Sequence, residues 1–341
     1  MTTPFKNPRA KFNFQGRTCS ITGIGAYVPE RILTNAELEK LVDTSDEWIT
    51  TRTGIKERRI AAPDEFTSDM AAKAALRAMK MAGVTAEQID LIIVATITPD
   101  MPFPNTACLV QQKIGARRIP SFDVEAACAG FIYALEVGQN FINSRAYETV
   151  LVIGAEKLSS ITNWKDRNTC VLFGDGAGAA ILQSRSGSHG LLTTALGADG
   201  SKADLISMPG GGSHCPASAQ TVLDGLHFLR MDGKETFKNA VQAMCSAAKA
   251  VLERCEIDIT RIKCVIPHQA NRRIIDAVGQ RLNVQPEQVF VNLHKYGNTS
   301  AASVAIALDE AVASGRIQRG DLILMIAFGA GLTWGAAVIE W

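Results

Sequence analysis

An ordered set of elements occurs twice along this chain, and that repetition constrains its fold more than any single motif does. A long helical pattern at 68–81 leads to an apolar β-type run at 91–97, and Cys128, set among small residues, follows 38 positions after Asp90. A second long helical pattern at 235–254 leads to a β-type run at 263–266, and Asn298 follows 36 positions after Ile262, again before small residues. From Cys128 to the strand at Leu151 is 23 positions, and from Asn298 to the strand at Leu322 is 24. Each half then closes on a glycine-punctuated apolar segment expected to form a hairpin, VLFGDGAGAAIL at 171–182 and the segment 322–339. Strands alternating with helices indicate an α/β protein with largely parallel, covered sheets, and the repeated order predicts two similar halves. We therefore expect a basic, poorly ordered arm at 1–17, an N-terminal half at 18–185 and a C-terminal half at 186–341, the seam lying in the Gly/Ser-rich stretch after Ser184.

The segment 322–339 needs care, because its 18 residues contain only Thr333 as a polar side chain and meet the length of a membrane span. Gly329, Gly331 and Gly335 interrupt it, so a hairpin buried on both faces is the better expectation, and with it a soluble protein. The formal net charge of +1 over 341 residues argues against a nucleic-acid partner. Only the first 17 residues are lopsided, with Lys6, Arg9, Lys11 and Arg17 and no acid, and no apolar stretch follows them as in a secretory signal. Eight scattered cysteines without a CxxC pair predict reduced thiols in a cytoplasmic protein, and neither they nor the five histidines have metal-ligand spacing.

Three residues carry candidate chemistry. Cys128, in EAACAGF, enters a helical stripe of Phe131, Leu135, Gly138 and Ile142. A thiol at a helix start lies beside unpaired N–H groups, which favour the thiolate; by itself the residue reads equally as a buried structural cysteine. His268, in VIPHQAN, is presented where Pro267 halts a strand, a position that also suits a satisfied polar side chain. Asn298, in KYGNTSAAS, precedes an apolar helix and would equally serve as its cap. If the halves pair about a pseudo-twofold axis, these three converge at the ends of the strands. GIGAYVP at 23–29 and GDGAG at 174–178 lack the G-x-G-x-x-G helix-opening pattern of a dinucleotide site.

Taken together, the motifs AACAGF, IPHQAN, KYGNTSAAS, FGDGAGAA and DTSDEWITTRTGI resemble β-ketoacyl-acyl-carrier-protein synthase III of the thiolase-like superfamily, from about Ile21 to Trp341. The resemblance implies a thiolase-like α-β-α-β-α five-layered fold and a cytoplasmic homodimeric acyltransferase without metal or redox cofactor. Its substrates would be an acyl-CoA, acetyl-CoA by default, and malonyl-acyl carrier protein, condensed with loss of carbon dioxide to begin fatty-acid synthesis. Cys128, His268 and Asn298 would then be the catalytic trio, with the backbone of Cys128 and Ala330 as oxyanion donors. Thr44, Trp48, Arg52, Arg167, Phe237, Ala270 and Asn271 match the coenzyme A channel, Arg272 and Arg273 the carrier-protein docking site, and Phe103 and Phe328 the acyl pocket, Phe103 reaching into the partner subunit. Two features depart from the family pattern: FGAG replaces FGGG, so Ala330 would be strained if its φ were positive, and the stretch 209–225 is long. A condensing enzyme of specialised metabolism, a non-catalytic binding subunit of the same fold and a nicotinamide-dependent oxidoreductase are the rival expectations.

Overall fold

The apolar runs of both halves become the central strands of two sheets in a computed structural model that describes residues 17–186 and 190–341. The first sheet takes β1 (Arg17–Tyr27), β2 (Leu91–Ala95), β3 (Ser121–Val124), β4 (Thr149–Glu156) and β5 (Gly176–Ser186), in the spatial order β1-β5-β4-β2-β3. The second takes β6 (Gly190–Ala198), β7 (Cys264–Pro267), β8 (Leu322–Gly329) and β9 (Thr333–Glu340), in the order β7-β8-β9-β6. In each sheet a parallel pair, β2 with β4 and β7 with β8, is followed by two antiparallel neighbours. Even the fifth position has a remnant in the second sheet, where Val265 forms a single parallel bridge to Val289. Four strands of the second sheet thus match four of the first in order and direction, as two similar halves require.

Helices separate and cover the sheets: α1 (Asp46–Thr53), α2 (Thr67–Ala82), α3 (Thr106–Lys113), α4 (Gly130–Asn143), α5 (Gly233–Cys255), α6 (Arg272–Leu282) and α7 (Ala302–Ala313). α2 lies on the outer face of the first sheet, α4 and α7 fill the layer between the sheets, and α5 backed by α6 covers the second sheet, giving α-β-α-β-α. A strand covered on both faces needs apolar side chains in both directions. Accordingly Ile92 and Val94 join the core under α2, whereas Leu91 and Ile93 join the core around α4 and α7. Gly154 in β4 permits the central layer to close, since a Cβ there would lie 2.5 Å from the carbonyl oxygen of Ala301.

The segment 322–339 is a β8–β9 hairpin, buried along nearly its whole length. Among the described residues no helix is long and apolar enough to cross a membrane. The expected hairpin at 171–182 does not form. Its second part is β5, paired across a long connection with β4, while 171–174 turn away to meet the other half. The backbone groups a hairpin would need are engaged elsewhere: Asn298 N–H donates to Leu172 O at 2.8 Å, Gly174 N–H donates to Asn298 O at 3.0 Å, and the buried Arg58 guanidinium donates to Val171 O at 2.6 Å. The glycines of GIGAYVP lie within or beside β1 rather than in a loop. The expected arm at 1–17 falls, up to residue 16, outside the described residues.

Candidate active site

Cys128 sits in a 3₁₀ turn, Ala127–Ala129, that runs directly into α4. Ala127 adopts φ +44°, the left-handed region that costs a residue with a side chain about 1 kcal/mol. The opposite half holds this turn in place, with Thr333 Oγ1 of β9 donating to Ala126 O at 2.9 Å. Gly329, ending β8, backs onto it so closely that a Cβ there would lie 2.5 Å from the Cys128 backbone nitrogen. The FGAG departure is thereby resolved: Ala330 is not among the residues with positive φ, and the left-handed position of that turn is Gly331, at +129°.

The helix-start setting does not produce the low-pKa thiol expected from sequence. Burial, the largest cause, pushes the Cys128 thiol up to about 12; the neighbouring Ser300 hydroxyl and Asn298 amide oppose it, and the charge of Glu156 adds to it. The cost of burying a thiolate is thus the leading influence on this sulfur.

His268 follows β7, where its N–H extends the parallel ladder by donating to Ile326 O at 2.7 Å. Its ring is buried, which pushes its pKa down to about 3, so the imidazole is neutral. Nδ1 lies 2.6 Å from Ser303 Oγ. Asn298 precedes α7, and its Oδ1 accepts from Ser300 N–H at 2.8 Å, which leaves its NH2 as the group turned to Cys128. Ser300 reaches that position in the left-handed region, φ +48°.

Two cavities meet at the sulfur. The outer one, about 710 Å³, is lined by Trp48, Arg52, Phe237, His268, Asn298 and Phe328 among others, with Cys128 on its wall. The inner one, about 430 Å³, lies beyond Cys128 between Ile97, Leu158, Phe173, Leu229 and Met231, with Ala330 and Ser300 on its wall. An acyl chain on the sulfur could extend into the inner cavity while a carrier arm occupied the outer one.

Of the expected coenzyme A residues, Trp48, Arg52, Phe237, Ala270 and Asn271 line the outer cavity and Thr44 and Arg167 do not. Arg52 and Arg167 lie over the Trp48 ring, 4.8 and 4.4 Å from its centroid, and Arg167 also approaches Asp43 at 3.5 Å. Thr44 Oγ1 is buried without a hydrogen-bond partner. Asn271 caps α6, accepting from Arg273 N–H at 2.9 Å and donating to Arg52 O at 3.2 Å, so its side chain joins α1 to α6. Arg273 stands at the cavity wall over Phe237, 5.7 Å from its centroid, whereas Arg272 pairs along the helix with Asp276 at 2.7 Å.

Of the two phenylalanines expected at an acyl pocket, Phe328 lies away from the inner cavity, and Phe103 belongs by expectation to the pocket of a partner subunit. Phe328 lines the outer cavity, because alternate residues of β8 face opposite ways: Leu324, Ile326 and Phe328 point toward α5, and Ile323, Met325 and Ala327 toward the central helices. Phe103 is 84 % exposed and lines neither cavity.

Glu156, Ser300, Ser303 and Gly329 were not identified from sequence. Glu156, ending β4, is completely buried and accepts from Thr96 Oγ1, Ile97 N–H, Thr98 N–H and Thr98 Oγ1 at 3.2, 3.1, 3.1 and 2.6 Å. Burial still raises its carboxyl pKa to about 7, against these hydrogen bonds from Thr98, Ile97 and Thr96. An acid in an otherwise apolar strand, TVLVIGAE, was the signal available for it. The serines lay in plain view within KYGNTSAAS, but nothing local marks them as partners of groups elsewhere.

The chain matches two family profiles, 3-oxoacyl-[acyl-carrier-protein] synthase III over residues 122–200 and the C-terminal part of the same family over 252–341. It is 58 % identical over 321 residues to the β-ketoacyl-[acyl-carrier-protein] synthase III of Caldanaerobacter subterraneus subsp. tengcongensis, covering 94 % of this chain and 97 % of that one. The crystal structure of 3-oxoacyl-[acyl-carrier-protein] synthase III from Aquifex aeolicus superposes with a TM-score of 0.89 at 50 % identity, covering 95 % of this chain and all of that one. A priming β-ketosynthase from the R1128 polyketide biosynthetic pathway has a TM-score of 0.88 at 36 % identity, covering 99 % and 98 % of the two chains.

Proposed function

Because the chain belongs to the 3-oxoacyl-[acyl-carrier-protein] synthase III family, a family of condensing acyltransferases, we propose that it condenses an acyl-CoA primer, by default acetyl-CoA, with malonyl-acyl carrier protein to begin fatty-acid synthesis. The observation that carries this reading is the meeting of a thiol and two oriented hydrogen-bond groups, Cys128, His268 and Asn298, on the wall of one cavity.

Cys128 Sγ attacks the thioester carbonyl, the carbon–sulfur bond to coenzyme A breaks, and the thiol proton leaves with the coenzyme A thiolate. No net charge is created, which suits a buried sulfur. The developing oxyanion accepts from the backbone N–H groups of Cys128 and Ala330. Malonyl-acyl carrier protein then enters, and its carbon–carboxylate bond breaks to release carbon dioxide, the electron pair passing to a thioester enolate. His268 Nε2–H and Asn298 Nδ2–H donate to that enolate oxygen. The enolate carbon attacks the acyl–Cys128 carbonyl, and collapse of the adduct expels the sulfur as a thiolate, which takes a proton from solvent, and leaves a β-ketoacyl carrier protein. Acyl transfer, decarboxylation and carbon–carbon bond formation each proceed without a change that calls for a metal or a redox cofactor.

Trp48, Arg52 and Phe237 on the wall of the outer cavity, with Arg167 stacked on Trp48, are assigned to coenzyme A, and Arg273 with Arg272 to docking the acidic carrier protein. The reading includes a cytoplasmic homodimer: the eight cysteines are free, as a reducing compartment requires, and Phe103 with Met101 offers exposed apolar surface to a second copy. A condensing enzyme of specialised metabolism using a longer donor is the second reading, favoured by the roomy inner cavity. Intact-mass measurement after incubation with acyl-CoA esters of increasing length tests both. Mass added by acetyl-CoA and lost in Cys128→Ser supports the first; labelling only by longer esters selects the second; no labelling by any ester overturns the enzyme reading.

A further inference from the structure

The structure assigns Ser303 as a positioning residue that determines which ring nitrogen of His268 carries the proton. This rests on the reading of His268 as a donor to the enolate oxygen. Ser303 stands in the first turn of α7, 2 % exposed, with its Oγ 2.6 Å from His268 Nδ1. That separation is short for a ring N–H donating to oxygen and normal for a hydroxyl donor. A serine hydroxyl donating into Nδ1 leaves the neutral ring protonated at Nε2, the nitrogen free for the cavity that His268 lines. The opposite tautomer would present a lone pair to the enolate oxygen and repel it.

One short stretch of chain thus arms both donors. Ser300 N–H holds Asn298 Oδ1 and so presents the amide NH2; three residues later the Ser303 hydroxyl holds His268 Nδ1 and so presents Nε2–H.

The test uses full-length protein labelled with ¹⁵N-histidine, the His268 signals being assigned by their loss in His268→Ala. The Nε2–H tautomer is expected in the native protein, with a mixed or reversed population in Ser303→Ala; a native Nδ1–H tautomer, or a tautomer unchanged in Ser303→Ala, overturns the assignment. In activity, Ser303→Ala should slow malonyl decarboxylation roughly tenfold, the worth of one hydrogen bond, while acyl transfer to Cys128 keeps its rate. Ser303→Thr, which retains the hydroxyl, should restore decarboxylation and the isosteric Ser303→Val should not; equal loss in both would make the role one of packing and overturn the assignment. If Ser303→Val fails to fold, the tautomer measured in Ser303→Ala decides. Undiminished decarboxylation in His268→Ala would instead overturn the donor reading of His268, a result the tautomer measurement does not depend on.

Discussion

In the first half a central helix, α4, begins two residues after Cys128; in the second its counterpart, α7, begins four residues after Asn298. Each entrance contains a left-handed residue that is not glycine, Ala127 in one and Ser300 in the other. The backbone plan is shared and the chemistry is not. The first half turns a sulfur toward the cavities, whereas the second spends its strained residue on clamping an amide so that only N–H faces the sulfur. The ends of the matched strands diverge likewise: after β2 the residues Thr96 to Thr98 wrap the buried carboxyl of Glu156, and after β7 the chain presents His268. A duplicated scaffold supplies two equivalent stations at one point, and in the proposed reaction their side-chain differences divide bond-making from charge stabilisation.

That division can be broken one station at a time. Cys128→Ser should lower acyl transfer by roughly 10⁴-fold or more, as loss of a nucleophile does elsewhere, and intact-mass labelling reads it directly; malonyl decarboxylation should survive. His268→Ala or Asn298→Ala should lower decarboxylation by about 10²–10³-fold, the scale of one lost oxyanion donor, with labelling of Cys128 retained. If Asn298→Ala blocks labelling and spares decarboxylation, the roles of the two stations are reversed.

Glu156 gives a pH signature peculiar to the first half. Its carboxyl titrates near 7 in the fold against its ordinary 4.5, so between these values the native state holds a proton that the unfolded chain has released. The resulting stability is present below about pH 4.5 and is lost as pH rises through 7, by about 3 kcal/mol from that shift. Denaturant unfolding of wild type and Glu156→Gln across this window should show the loss only in wild type; parallel curves would refute it. The smallest effect belongs to the FGAG turn. With φ at residue 330 outside the left-handed region, Ala330→Gly should leave acyl transfer unchanged and lower stability by about 0.5–1 kcal/mol through a freer unfolded chain; faster acyl transfer in the variant would show that the alanine does obstruct the oxyanion position.

What the sequence revealed follows the range of the interactions involved. Periodicity located α2 and α5 within a residue or two, because apolar spacing is local, and the matched intervals revealed the repeat. The three candidate site residues were legible from motifs. The failed hairpin at 171–182 and the raised Cys128 pKa have a common cause: both depend on the other half of the molecule, whose Asn298 captures the backbone of Leu172 and Gly174 and which helps to bury the sulfur. Ser303 escaped notice for the same reason, since its partner lies 35 residues upstream, just beyond the end of β7.

Cys128 lies on the wall of the outer cavity, and in the proposed reaction both substrates reach it there. On that reading coenzyme A must vacate before the carrier-protein arm can enter, so the two guests compete for one doorway. Initial velocities plotted reciprocally should give parallel lines, and a surplus of the second guest should delay admission of the first.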